Sequence, residues 1–430
     1  MAIKKEFFLN ILLLFIPVAF VAGNLVLNLN ILLVILFSLF YFRSKIFEQK
    51  LSIIDKLLVI FFLYILVNGI INGFLNYSGS YNIQFKSFTY LRFLLLYFVL
   101  KLCVKENIIN FKYLFFSFGT ICLLVVLDII IQYLFGQSIF GYEVSKNQRH
   151  FSGPFGDEYI AGSFIQRFFI FALCSITVFL KIQKVTLQNI FLFSLVLFFL
   201  IGCILAGNRV PLVLFIMILF LFFLFEKHLR KKFVAIFIIS SLIFSLLVFT
   251  NNNLTNHYKF FAKSGIEIKD YLIKRTVSDN YEIPNNYSKE IETGLLVWED
   301  KKIFGGGVKS FYSNCVKVSS IALTKIGGAN CNTHPHNYYL HILTELGLIG
   351  LLLCLLIFIT IIIQSLKIIF SMNNSNKRKI LLPLFLVFIA EIFPFKTTGS
   401  FFTSANSIFL FIIISFIVGL IELEKEYYYE

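Results

Sequence analysis

HPHNYYLHILTELGLIG, His334 to Gly350, joins the end of a long polar segment to the start of an apolar helix. His334, Pro335, His336 and Asn337 stand at the junction, and beyond Gly350 the chain runs on as LLLCLLIFITIII. A junction of this kind sits where water meets a membrane. Histidine exchanges a proton near neutral pH, and asparagine can hold it in one orientation. The stretch therefore reads as the start of a membrane helix that carries chemistry at its mouth. Pro335 holds His334 extended and stops a helix from running back through it, so the helix is expected to start near Asn337, a good cap. The plainer reading of the same residues is a polar cap with incidental histidines.

The rest of the chain agrees with a membrane fold. Of 430 residues 58% are hydrophobic, and the mean hydropathy is +0.85. Apolar runs of about 20 residues, each able to cross a hydrocarbon core of about 30 Å, recur from end to end. Window hydropathy predicts about twelve spans, with cores near 6–22, 25–43, 56–75, 86–103, 112–135, 158–181, 189–206, 209–226, 232–250, 338–367, 379–396 and 404–423. The first resembles a signal peptide behind Lys4 and Lys5, but further spans follow at once, so it reads as an uncleaved helix. The expected class is thus an all-α, polytopic membrane protein. Its expected parts are a membrane domain over 1–250, a loop or cap over 251–336, and a second membrane portion over 337–430.

The net charge of +15 does not point to nucleic acid, because the basic residues collect in short inter-span loops. With the N-terminus inside, the inner loops and termini hold about twenty basic residues, whereas the short outer loops hold Lys146, Arg149, Arg209 and Lys396. The positive-inside rule then puts both termini in the cytoplasm and the 251–336 loop outside. That loop is expected to fold as a mostly helical cap. Ile291, Leu295 and Trp298 share a helical spacing, and Gly305-Gly306-Gly307 offers a turn. Cys315 and Cys331 are the only cysteines of the outward loop, so an oxidising compartment is expected to join them in a disulfide. No Cys/His metal spacing appears.

Arg92, Asp128, Arg167, Glu345 and Glu391 fall inside predicted spans. Each costs about 2.5–3.5 kcal/mol or more against lipid. On this topology all five lie in the outer half, which suggests a polar cavity opening outward above inner halves nearly free of charge. Asn337, His341 and Glu345 are spaced by four and share a helix face, while Gly347 and Gly350 would allow close helix approach. Arg149, in QRHFSGPFGDEYIAGSF, and Arg209, in AGNRVP, could each present a planar fork to phosphate, or simply anchor at the interface. HExxH, GxSxG and Walker A patterns are absent.

The pattern His336-Asn337, nine residues, then Gly347-Leu-Ile-Gly350 resembles that of the O-antigen ligase/polymerase superfamily. RHFSGPFGDE, AGNR, WEDKKIFGGGVKSF and FPFKTTGSFF extend the resemblance over most of the chain. It implies a metal-independent glycosyltransferase without cofactor, in the bacterial inner membrane with its active site toward the periplasm. The implied donor is a glycan on undecaprenyl diphosphate, and the implied acceptor is lipid A–core or another glycan. By the resemblance, His336 with Asn337 is the catalytic pair and Arg209 the diphosphate ligand, with Arg149 in support. Relatives place a further arginine in the long loop; Arg275 is the only one here, and Thr293 to Val297, before Trp298, has none. His334, His341, Glu345, Arg92 and Arg167 are expected in support. The ligase reading stands slightly ahead of a polymerase that uses a second lipid-linked repeat. A transporter would require polar groups in both membrane halves.

Overall fold

The computed structural model describes residues 5–46, 48–75, 80–144, 150–179, 185–226, 238–239, 241–242, 244–246, 248–250, 252–275, 286–326, 329–371, 376–396 and 399–429. Among these residues the chain is helical, without strands, apart from one bridge between Gln137 and Glu143. The helices are α1 (Lys5–Leu14), α2 (Ile16–Ala22), α3 (Asn24–Phe42), α4 (Ile53–Leu75), α5 (Ser80–Tyr90) and α6 (Arg92–Lys105). They continue as α7 (Phe111–Phe135), α8 (Ala161–Cys174), α9 (Val185–Leu205), α10 (Arg209–Phe225), α11 (Asn252–Arg275) and α12 (Asn286–Asp300). The last are α13 (Phe311–Lys317), α14 (Ser319–Ile326), α15 (Tyr338–Ser371), α16 (Asn376–Glu391) and α17 (Ser404–Tyr429).

Eight described helices are long and apolar enough to cross a membrane, and α10 is a shorter apolar helix. They coincide with eight of the twelve expected spans. The expected first span is broken at Phe15 between α1 and α2, and α16 spans only 16 residues. The 232–250 span lies largely outside the described residues. Large apolar side chains point outward along the bundle, such as Leu25 at 75%, Phe74 at 75% and Phe135 at 77% exposure. That many exposed apolar groups fit a lipid surround rather than water. Inside, small residues let helices approach closely. A Cβ on Gly119 of α7 would lie 2.7 Å from the Ala172 backbone of α8, and one on Gly419 of α17 would lie 2.6 Å from Val104 of α6.

The helices alternate between two ends of the bundle. At one end Asn24, Arg92, Lys309 and Ser404 border a common cavity. At the other, Lys101 is fully buried and bonds Asp55 at 2.7 Å and Glu422 at 3.4 Å, while Arg378 pairs with Glu226 at 2.8 Å. The expectation that this second end is nearly free of buried charge is therefore corrected. Its charges persist because each is paired, which offsets much of the cost of burial.

α15 is broken where a straight span is expected. Gly347 sits at φ 65°, ψ −167°, so Tyr338–Leu346 forms a separate short segment. The part beyond Gly347 is long enough, at about 1.5 Å per residue, to cross a core of about 30 Å by itself. The Lys302–Gly307 turn docks into the break. Gly306 and Gly307 donate to the carbonyls of Thr344 (3.1 Å) and Glu345 (2.8 Å), and Leu348 and Ile349 donate to those of Lys302 (2.9 Å) and Ile303 (3.3 Å). The backbone groups freed by the break are thus satisfied by the turn, as non-helical backbone at an apolar site requires. Tyr64 of α4 seals it by donating to the carbonyls of Leu346 (2.8 Å) and Phe304 (3.1 Å). Gly347 therefore serves a backbone break rather than the close helix packing read from its spacing.

The 251–336 segment is mostly helical where described, in α11 to α14, with turns and irregular chain between them and before His336. α12 forms where expected, but it buries Thr293, Leu296 and Val297, with Ile291, Leu295 and Trp298 only half-buried. A disulfide joins Cys315 to Cys331, with Cα atoms 5.6 Å apart. It closes a small core around Leu296, Val297, Phe311 and Ala322.

Candidate functional site

Asn337 caps α15. Its Oδ1 accepts from the Leu340 N–H at 3.0 Å, and its Nδ2 donates to the Pro394 carbonyl at 2.7 Å. Both ends of the amide are engaged in fixing the helix start against the segment after α16. Asn337 is thus placed to position its neighbour. His336 stands just outside the helix at φ 49°. A left-handed conformation at a non-glycine residue costs of order 1–2 kcal/mol, and such strain collects at functional sites. It turns the half-exposed His336 ring back toward His334, centroid to centroid 4.4 Å.

From there a row of imidazoles leads inward. The His334 ring is 6.0 Å from that of His341. His341 is fully buried; its Nδ1 is 3.2 Å from Ser400 Oγ, and its Nε2 is 2.9 Å from Glu345 Oε1. The angle of that last approach makes no hydrogen bond, and both Glu345 oxygens lack hydrogen-bond partners among the described residues. His341 and Glu345 face one another one turn apart, as their spacing predicts. The structure thus brings together His334, His336, His341 and Glu345: one half-exposed ring and a buried carboxylate, linked by two further rings. Burial, then the fields of His336, His341 and Lys309, holds His334 down to about 3, so it is neutral at ordinary pH. A neutral imidazole can accept a proton at one nitrogen while donating from the other.

Glu290 of α12 is a site residue that the sequence reading missed. Its Oε1 accepts from the side-chain amides of Asn330 (3.3 Å) and Asn332 (3.1 Å), and it interacts electrostatically with His336. Burial raises its carboxyl above the usual range, and the field of His336 opposes that rise. Nothing local in NYSKEIETG marks it; only the docking of α12 beside the junction does.

Arg167 and Glu391 form a buried bidentate pair, with Nε to Oε2 at 3.0 Å and Nη2 to Oε1 at 2.5 Å. Lys396 and Tyr338 also donate to Oε1, at 2.5 Å and 2.8 Å. This network ties α8, α15 and α16 together directly beneath Asn337. Asp128 accepts from the Ile139 N–H at 2.6 Å and holds the turn after α7. The expectation that five span charges line one cavity is therefore corrected. Arg167 pairs with Glu391 and also lines a cavity with Glu158 and Asn406, Asp128 holds a turn, Glu345 stands beside His341, and Arg92 lines another cavity with Lys86 and Lys309.

Arg209 opens α10, next to Asn208, which accepts from the Gly162 N–H at 3.0 Å and donates to the Tyr159 carbonyl at 2.9 Å. This places Arg209 beside the start of α8. Arg149 lies outside the described residues, as does the side chain of Arg275, whose backbone ends α11. Among the described residues no cluster of His, Cys, Asp and Glu could hold a metal.

Residues 193–355 match a family model described as O-Antigen ligase. The matched stretch holds Arg209, Glu290, the docked glycine turn and all of His334–Gly350. No curated protein matches the chain.

Proposed function

We propose that this membrane protein, which carries an O-antigen ligase domain over residues 193–355, transfers a glycan from a lipid diphosphate to a lipid-borne acceptor. The observation that carries the reading is the strained, half-exposed His336 at the head of the row that ends in buried Glu345. In this reading His336 takes the proton from the acceptor hydroxyl as that oxygen attacks the sugar carbon. The bond from that carbon to the diphosphate oxygen breaks, and the diphosphate leaves on its lipid. Glu290 favours the charged imidazolium. Asn337 positions the ring, and Arg209, with Arg149 in support, binds the donor diphosphate. The expected donor is undecaprenyl-diphosphate-linked glycan, and the active site faces the periplasm.

The ligase reading names lipid A–core as acceptor. The polymerase reading names a second lipid-linked repeat, and the shared family domain supports both. Deletion in the native host tests them. Long lipid-linked polymer accumulating without attachment to core supports a ligase. Core bearing a single repeat supports a polymerase. Unchanged surface and lipid-linked glycan refutes both.

A further inference from the structure

A polar cavity lies one wall away from the histidines. It measures about 550 Å³, and its polar lining includes Asn24 and Asn28 of α3, Lys86 of α5, Arg92 of α6 and Lys309 of the loop. Among the described residues no carboxylate lines it. All three cations are exposed, and among the described residues none has a carboxylate partner. Arg92 gives one N–H to Ser404 Oγ at 2.8 Å, which fixes its fork while leaving other donors open. Lys309 is held at φ 70° by the turn in which Ser310 N–H donates to Gly307 at 3.2 Å. Three convergent cations with no counter-charge form a focused positive field that selects an anion.

The cavity adjoins the histidines. Lys309 acts electrostatically on His334, and Phe402, in the cavity wall, stacks edge-on to His341 at 5.1 Å. Its surroundings also fit an apolar tail. Asn24 and Asn28 share a face of α3 with Leu32 and Leu36, which are 50% and 52% exposed. Phe85 and Phe88 of α5 are exposed beside it. A charged pocket above a lipid-facing apolar stripe suits a ligand with an anionic head and a long hydrocarbon chain.

We infer that this cavity binds the phosphate headgroup of a lipid substrate, with Lys86, Arg92 and Lys309 as its ligands. The inference rests on the glycan-transfer reading for the identity of the lipid. It supplies phosphate contacts in a chain whose loop has no arginine before Trp298 in Thr293 to Val297. Two lipids share the required chemistry: the diphosphate donor and a phosphate-bearing acceptor.

The test uses the purified full chain in detergent and equilibrium binding of undecaprenyl diphosphate, of bisphosphorylated lipid A, and of undecaprenol as the uncharged control. Wild type is expected to bind at least one phosphate lipid, more weakly as salt is raised, and undecaprenol much less. K86Q/K309Q removes two exposed charges without a buried contact. It should weaken that binding by about tenfold, the scale of lost charge-assisted contacts. A loss confined to undecaprenyl diphosphate assigns the cavity to the donor, and one confined to lipid A assigns it to the acceptor. Loss of both identifies a shared anion site. Wild-type affinities in the double variant, or no binding of either phosphate lipid by wild type, overturn the inference. Transfer of glycan by wild type in the same preparation distinguishes that failure from failure of the proposed activity.

Discussion

Gly347→Ala tests the docking of the loop into α15. At φ 65°, ψ −167° the residue occupies a region open essentially to glycine, and a side chain there costs of order 1–3 kcal/mol. Its Cβ would lie 2.2 Å from the Ile303 carbonyl oxygen and 2.6 Å from the Gly305 nitrogen. Both are backbone atoms, so no side chain can swing aside. Relief requires the Lys302–Gly307 turn to move off, breaking the four backbone hydrogen bonds that hold it. At about 1 kcal/mol net each, with the strain added, the change comes to about 5–7 kcal/mol. That is large against the stability of most proteins. Limited trypsin digestion, mapped by mass spectrometry, should show cleavage after Lys301 and Lys302 at least about ten times faster than in wild type, with a lower Tm. Gly265→Ala, whose Cβ would meet nothing within 4 Å, is the control. A wild-type digestion pattern and Tm in Gly347→Ala would show that the turn does not depend on the break.

Glu391→Gln leaves the buried Arg167 and Lys396 charges without their carboxylate. Breaking such a pair typically costs about 3–5 kcal/mol, so Tm should fall clearly; an unchanged Tm would contradict the network. His334 is held neutral to about pH 3 when folded, against about 6.5 when free. Its contribution to stability is therefore full above about pH 6.5 and is lost as pH falls from there toward 3. Tm measured against pH should lose part of this acid slope in His334→Asn, and an identical slope would count against the assignment. Arg209→Lys keeps the charge but loses the planar fork, and donor affinity should drop; wild-type affinity in both Lys and Ala variants would make Arg209 an anchor only.

The membrane class was legible because runs of about 20 apolar residues have few other uses. The start of α15 was legible too, since proline stops and asparagine caps act locally; here Pro335 and Asn337 mark it. The break at Gly347 was not. Its spacing to Gly350 reads as a packing motif, and the turn that fills it lies some forty residues upstream, with no local sign of where it docks. The periodicity of α12 gave the helix but not which residues it buries, because that is set by contact with α13, α14 and α15. Glu290, Lys86 and Lys309 are isolated charges whose meaning appears only when helices distant in sequence meet. The Asp55–Lys101–Glu422 network was hidden for the same reason, its members lying 46 and 321 residues apart.

The central claim is that His336 performs the proton transfer. The direct measurement is glycan transfer from purified undecaprenyl-diphosphate-linked donor to acceptor by wild type and His336→Ala, with donor binding and Tm measured on the same samples. The account predicts that His336→Ala loses transfer by at least about a hundredfold, the usual scale of general acid–base catalysis, while donor binding and Tm stay close to wild type. Transfer at the wild-type rate by His336→Ala would contradict it.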